Sequence, residues 1–132
     1  MNMAGRKTRT IAINAYLADV VAKAAIDRRI AQDDGKTINA LVEAAIQDEL
    51  RRAKAVRAHG EPVATRPLFQ PAGNVPERFL RRIALADDLA NQLKEEAVQR
   101  QLENHCTVSM RQVTESALQT FLQLPDPQTT AP

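Results

Sequence analysis

The chain is short of cysteine and of aromatic residues. Cys106 is the single cysteine, so no intramolecular disulfide is possible, and a reducing cytoplasm is the expected compartment. There is no tryptophan, and the aromatic set consists of Tyr16, Phe69, Phe79 and Phe121. The core must therefore be built from Ile, Leu, Val and Ala, which favours close helix packing. Neither a signal peptide nor an apolar run of transmembrane length is present, so we expect no membrane association.

Proline is missing from two long stretches, residues 1–61 and 77–124, which leaves both free to form helices. Between them lie Pro62, Pro67, Pro71 and Pro76, with Gly60 and Gly73 close by. This distribution predicts a first block at 1–58 and a Pro-rich linker at 59–77. A second block at 78–123 and a short flexible tail at 124–132 complete the expected organisation.

The two blocks are related by an offset of 72 residues without a gap. Of the 43 positions from 9 to 51, 11 are identical to the position 72 residues later, among them Ile11/Ile83 and Glu43/Glu115. Chance agreement between two amphipathic helical segments is the alternative explanation. It accounts poorly for a match that keeps a strand and two helices in register.

Each block has the same order of elements. Alternating apolar residues predict a strand at 8–13 and its counterpart at 79–85, and an isolated strand needs a partner. Two amphipathic helices follow each strand, with Thr37 and Ser109 at the N-cap positions of the second helices. The expected fold class is mainly α with one two-stranded antiparallel ribbon. Pairing of the strands within one chain is the simplest arrangement, and pairing between two chains is the alternative.

Two stretches, IALADDLANQLKEEA (83–97) and GKTINALVEAAI (35–46), resemble the strand-to-helix junction and the turn into the second helix of ribbon-helix-helix proteins of the Arc, MetJ and CopG kind. Asn14 and Ala86 stand where that family usually has proline. The resemblance implies two tandem ribbon-helix-helix copies that form an intramolecular pseudo-dimer, as in TraY-type conjugation proteins. It also implies double-stranded DNA as the partner, with the ribbon in the major groove.

Strand alternation assigns the two faces of this ribbon. Ile11, Ile13, Ile83 and Leu85 are expected to face the helices. Arg82 is the leading candidate for reading bases, because a guanidinium can bond two acceptors of guanine at once. A solvated surface charge is the alternative for this residue. The predicted base-reading set is Thr8, Thr10, Ala12, Leu80, Arg82 and Ala84.

Cations beside the ribbon and the N-termini of the second helices are expected to bind phosphates. Only the first copy has a basic residue at the start of its second helix, so the two helix N-termini should bind phosphate with different strength. The predicted phosphate-contacting set is Arg6, Lys7, Arg9, Lys36, Thr37, Ile38, Arg78, Arg81, Val108, Ser109 and Met110.

The functional prediction is a sequence-specific DNA-binding protein, either a transcriptional repressor or an accessory factor at a plasmid transfer origin. Its two strands carry different outward residues, which predicts an asymmetric recognition element. Further copies of the chain on DNA, and a relaxase or another protein, are possible partners. An antitoxin and a helical protein-interaction module without DNA binding are the alternatives. His105 and Cys106 are interpreted as loop residues, so no catalytic residue, metal or cofactor is expected.

Overall fold

The computed structural model describes residues 7–32, 38–69 and 80–124. Their elements confirm the coarse class, a mainly helical protein with one two-stranded antiparallel sheet. Each strand ends one residue later than predicted, and residue 79, the predicted start of the second strand, lies outside the described residues. In chain order the elements are β1 (Thr8–Asn14), α1 (Ala15–Gln32), α2 (Ile38–Ala58), β2 (Leu80–Ala86), α3 (Asp87–Asn104) and α4 (Met110–Phe121).

The strands β1 and β2 pair within one chain, from Thr8 opposite Ala86 to Asn14 opposite Leu80. The central pair of the ladder is Ile11 opposite Ile83. These two residues are separated by 72 positions, the same offset that relates the two halves of the sequence. The ribbon therefore brings matching positions of the two halves together at its centre.

The core lies under one face of the ribbon. Ile11, Ile13, Ile83 and Leu85 are all buried, as the alternation predicts. They meet apolar side chains from all four helices, and α2 and α4 form the closest helix pair. The helical contribution to this core comes from Leu17, Ala18, Val21, Ala25, Leu41, Val42, Ala45, Ile46, Leu89, Ala90, Leu93, Ala97, Val113, Ala117 and Leu118.

The ends of the helices follow local rules. The Asn14 side chain accepts hydrogen bonds from the backbone N–H groups of Tyr16 (2.8 Å) and Leu17 (3.3 Å), so it caps α1. Asp87 and Asp88 lie in the first turn of α3, where the helix dipole favours negative charge. Ser109 caps α4 as predicted, accepting from the N–H of Gln112 at 3.0 Å. The other predicted cap, Thr37, lies outside the described residues.

Two glutamates reach from the second helices to the ribbon ends of the opposite half. Glu43 of α2 accepts the backbone N–H of Ala86 at 2.8 Å, and Glu115 of α4 accepts that of Asn14 at 2.8 Å. Both the acceptors and the donors are related by the offset of 72. Each half thus satisfies a backbone donor that the other half leaves at its strand-to-helix junction.

Residues 61–69, here called the strap, form neither helix nor strand and pack against α3 and α4. Val63 is buried, and its carbonyl accepts from the Asn104 side chain at 3.0 Å. Further along, the N–H of Phe69 donates to Glu115 at 2.9 Å, and the carbonyl of Pro67 accepts from Gln119 at 3.0 Å. This part of the predicted linker therefore contributes to the packing of the second half.

A group of buried charges joins α2, α3 and the strap. Arg100 is 0% exposed and donates to Glu96 (2.6 Å), Glu49 (2.7 Å) and the hydroxyl of Thr65 (3.1 Å). Arg57 donates to Glu96 as well, at 2.8 Å. Because charges removed from water must be paired, these contacts fix where α2, α3 and the strap lie relative to one another.

Candidate nucleic-acid interface

The outer face of the ribbon presents the six side chains predicted to read bases. Thr8, Thr10, Leu80 and Arg82 are exposed, while Ala12 and Ala84 are half-buried. These six residues share one face because the strand pleat sends alternate residues away from the four helices. The sequence prediction and the structure agree on which residues share this face, and the structure adds how they stand opposite one another.

Arg82 has small neighbours across the ribbon. It lies opposite Ala12, and Thr10 lies opposite Ala84. An alanine beside each polar side chain leaves room around it. Within the described part of the chain, no carboxylate pairs with Arg82. Its guanidinium is therefore available to an external acceptor.

Cations flank this face, and two of them also contact acids. Arg9 lies 3.3 Å from Asp87, and Arg81 lies 3.9 Å from Asp19. All four side chains are more than one-third exposed, so these pairs are weak and can exchange for phosphate contacts. Lys7 is exposed at the entry to β1. Two other predicted cations, Arg6 and Arg78, lie outside the described residues.

The N-terminus of α4 presents two of the three predicted amides. The N–H of Val108 donates to the side chain of Gln101 at 3.1 Å, so it is used inside the protein. For Ser109 and Met110, the described residues provide no acceptor of the backbone N–H. In the first half, Ile38 begins α2, and the predicted Lys36 and Thr37 precede the described residues.

Glu43 and Glu115, for which the sequence predicted no role, hold the two ends of the ribbon. Glu115 is 0% exposed and accepts from Asn14, Phe69 and Arg111 at 2.8–2.9 Å. The sequence did contain a sign of this role, since these two glutamates are one of the identical pairs at the offset of 72. An identical acid among apolar positions at the same place in both second helices indicates a shared structural partner.

Comparisons with protein-family models, with curated proteins and with solved structures found no match. None of the described helices combines the length and apolar character needed to cross a bilayer. Among the described residues, no group of three His, Cys, Asp or Glu side chains is arranged to hold a metal ion. The ribbon face, its flanking cations and the start of α4 are therefore the features on which a functional proposal rests.

Proposed function

We propose that this chain is a sequence-specific double-stranded DNA-binding protein that inserts its ribbon into the major groove. The observation that carries the proposal is the outer ribbon face, where Arg82 projects between small neighbours and cations stand at both ends. A two-stranded ribbon fits the width of the major groove, where each base pair shows a distinct pattern of donors and acceptors. The role is that of a transcriptional repressor or of an accessory factor at a plasmid transfer origin.

The proposed architecture is a tandem ribbon-helix-helix pseudo-dimer within one chain. Three observations support it: the central ribbon pair Ile11–Ile83, the reciprocal bonds of Glu43 and Glu115, and the matched burial of related core residues. In this architecture, an approximate two-fold axis through the central pair relates β1 to β2, α1 to α3 and α2 to α4. Each half then lies over its own DNA half-site, and the sequences of the two half-sites need not be the same.

The two halves read different bases in this proposal. The offset of 72 places Thr8, Thr10 and Ala12 in the positions of Leu80, Arg82 and Ala84. Arg82 is suited to guanine, whereas the hydroxyl of Thr10 accepts several partners. A covalent pseudo-dimer can therefore specify two unlike half-sites. Selection from random DNA should yield a non-palindromic consensus, and a perfect palindrome would contradict this assignment.

The test is a binding titration by gel shift or fluorescence anisotropy on the selected site and on DNA flanking the protein's own gene. Arg82→Ala should weaken specific binding by about 1–3 kcal/mol while the thermal unfolding temperature stays unchanged. Arg82→Lys should restore little of it, because an ammonium lacks the paired donors of a guanidinium. Affinity unchanged by Arg82→Ala would exclude this residue as a base reader.

A matched control removes a cation elsewhere. Arg51 lies on α2, is 72% exposed and contacts only Asp48 of its own helix in the described structure. Arg51→Ala should therefore leave specific binding almost unchanged. Arg81→Ala should weaken binding to all sequences alike and reduce the slope of log affinity against log salt by about one. Binding that does not respond to salt would refute the phosphate contacts.

A further inference from the structure

The strap is held by side chains of the second half that bond to it directly. On α4, Glu115, Ser116 and Gln119 each bond to its backbone at 2.9–3.0 Å. On α3, Arg100 donates to the hydroxyl of Thr65 at 3.1 Å. These four helix side chains, here called the strap site, are at most 2% exposed. The strap site therefore binds a proline-containing segment that forms neither helix nor strand.

The first half repeats most of the strap site. Three of the four residues are identical at the offset of 72, and the fourth is alanine. The related set, here called the first-half groove, is Arg28, Glu43, Ala44 and Gln47. On α2, Gln47 is exposed, and Glu43 and Ala44 are half-buried. Because the bonding side chains recur on a more open surface, the first-half groove is suited to a ligand of the same kind.

The C-terminal residues contain a segment of the matching kind. Residues 127–132, PQTTAP, repeat the proline and threonine spacing of strap residues 62–67, PVATRP. In each segment a threonine stands three positions after the first proline and two before the second. Each proline fixes its own φ at about −65° and disfavours helix, so the two segments share the same backbone restrictions. Residues 127–132 lie outside the described residues.

The positions that the two segments share are those that contact the identical part of the strap site. Thr65 accepts from Arg100, and the carbonyl of Pro67 accepts from Gln119. In the first half, the threonine, the proline and both of these partners recur. A match on both sides of two separate bonds indicates the same mode of binding.

The strap-site residue that differs changes together with its partner. Ser116 accepts from the backbone N–H of Arg66 at 3.0 Å. The first half has alanine at both places, Ala44 in the groove and Ala131 in the C-terminal segment. Two alanines allow close approach, so this pair can pack without the bond.

The C-terminal segment is long enough to reach the first-half groove. In the second half, Arg100 donates to both Glu49 of α2 and Thr65 of the strap, so one guanidinium spans the gap between them. At the offset of 72, Glu49 corresponds to Phe121, the last residue of α4. The nine residues that lead from Phe121 to Thr130 span up to about 30 Å when extended. That reach is several times the width of a guanidinium.

We propose that residues 127–132 bind in the first-half groove as strap residues 62–67 bind in the strap site. Thr130 and Pro132 then take the places of their strap counterparts. The first-half groove is thus a binding site for P-x-x-T-x-P segments, and the chain itself supplies the occupant. The inference rests on the correspondence between the halves in the proposed architecture, and it does not depend on DNA binding.

Disulfide trapping in the whole chain tests this placement. In a Cys106→Ser background, Ala44→Cys is combined with Ala131→Cys, the counterparts of Ser116 and Arg66. Equilibrium with reduced and oxidised glutathione then measures the effective concentration of one thiol at the other. A tethered but unbound segment gives a value in the millimolar range, and binding in the groove should raise it on the order of ten-fold.

The matched control places the second cysteine at Thr129 in place of Ala131. Thr129 corresponds to Ala64, which is exposed in the strap. An unbound segment presents the two positions equally, so equal effective concentrations would overturn the proposal. Disulfides that form between two chains, detected on a non-reducing gel, would assign the groove to a second copy and would overturn it as well.

Side-chain variants of the trapping pair test the individual bonds. Gln47→Ala and Thr130→Val should each lower the effective concentration several-fold, because each removes one of the two shared bonds. Gln92→Ala and Thr129→Val are the matched controls, since Gln92 is exposed on α3 and Thr129 corresponds to an exposed strap position. Unchanged trapping in both Gln47→Ala and Thr130→Val would refute the placement.

Trapping is measured without DNA, so its failure is distinguishable from failure of the proposed function. Trapping no stronger than in the control, in a chain that binds DNA specifically, would remove the first-half groove and leave the DNA-binding proposal standing. Strong trapping in a chain without specific DNA binding would support the groove and overturn the proposed function alone.

Discussion

Removing Glu115 should destabilise the protein more than removing its counterpart Glu43. The Glu115 carboxylate is fully buried and accepts the backbone N–H groups of Asn14 and Phe69. A buried donor left without its acceptor costs about 1–3 kcal/mol. With two amides affected and a small cavity added, Glu115→Ala should lower the free energy of unfolding by about 3–5 kcal/mol. That is a large share of the ~5–15 kcal/mol typical of a domain.

Glu43 provides the matched comparison. It makes the same 2.8 Å bond to the strand-to-helix junction of the opposite half, but it is only half-buried. Water can replace part of its role, so Glu43→Ala should cost about 1–2 kcal/mol. Glu115→Gln keeps one carbonyl acceptor and should fall between the two alanine variants.

Urea unfolding at neutral pH, followed by circular dichroism, measures all three variants. If Glu115→Ala does not fold, the order of Glu115→Gln and Glu43→Gln tests the same argument, since the buried site should again lose more. Equal losses at the two positions, or a loss below about 1 kcal/mol for Glu115→Ala, would refute the reasoning from burial.

Three further predictions concern the charges and caps. The hydrogen bonds from Arg57 lower the pKa of Glu103 from 4.5 to about 2. The stability that this contact provides above pH 4.5 should therefore be lost as the pH falls toward 2. Glu103→Gln should flatten that part of an acid-unfolding curve. Arg100→Ala should cost about 3–5 kcal/mol in urea unfolding because it removes the fully buried partner of Glu49 and Glu96, which then keep only the more exposed Arg52 and Arg57. Ser109→Ala should cost about 1 kcal/mol through loss of the bond from Gln112, with Ser109→Asp close to the native stability.

The sequence was informative wherever the signal was local. Alternation of apolar residues correctly predicted which ribbon residues face the helices, because the pleat sends neighbours to opposite sides. Ser109 was predicted as a cap from its position before an apolar stripe. These features depend on a few adjacent residues, and the structure confirms each of them.

The repeat extended the prediction beyond local structure. The offset of 72 predicted that β2 pairs with β1, and the observed ladder is centred on the related residues Ile11 and Ile83. The tandem ribbon-helix-helix assignment and DNA binding stay predictions, which the titrations above are designed to test. Asn14 shows the limit of comparison by residue type: it stands where ribbon-helix-helix proteins usually have proline, yet it starts the helix by accepting backbone N–H groups.

The sequence by itself determined the elements, their order, the buried face of each and the relation between the two halves. Only the tertiary structure decided that identical residues have different surroundings. Gln47 is exposed, whereas its counterpart Gln119 is buried and donates to Pro67 of the strap. Composition made residues 61–69 look like a linker, because proline and the lack of periodicity disfavour helix and strand. Their packing depends on side chains about 40–50 residues away, and no local pattern encodes a contact between segments that meet only after the helices have packed.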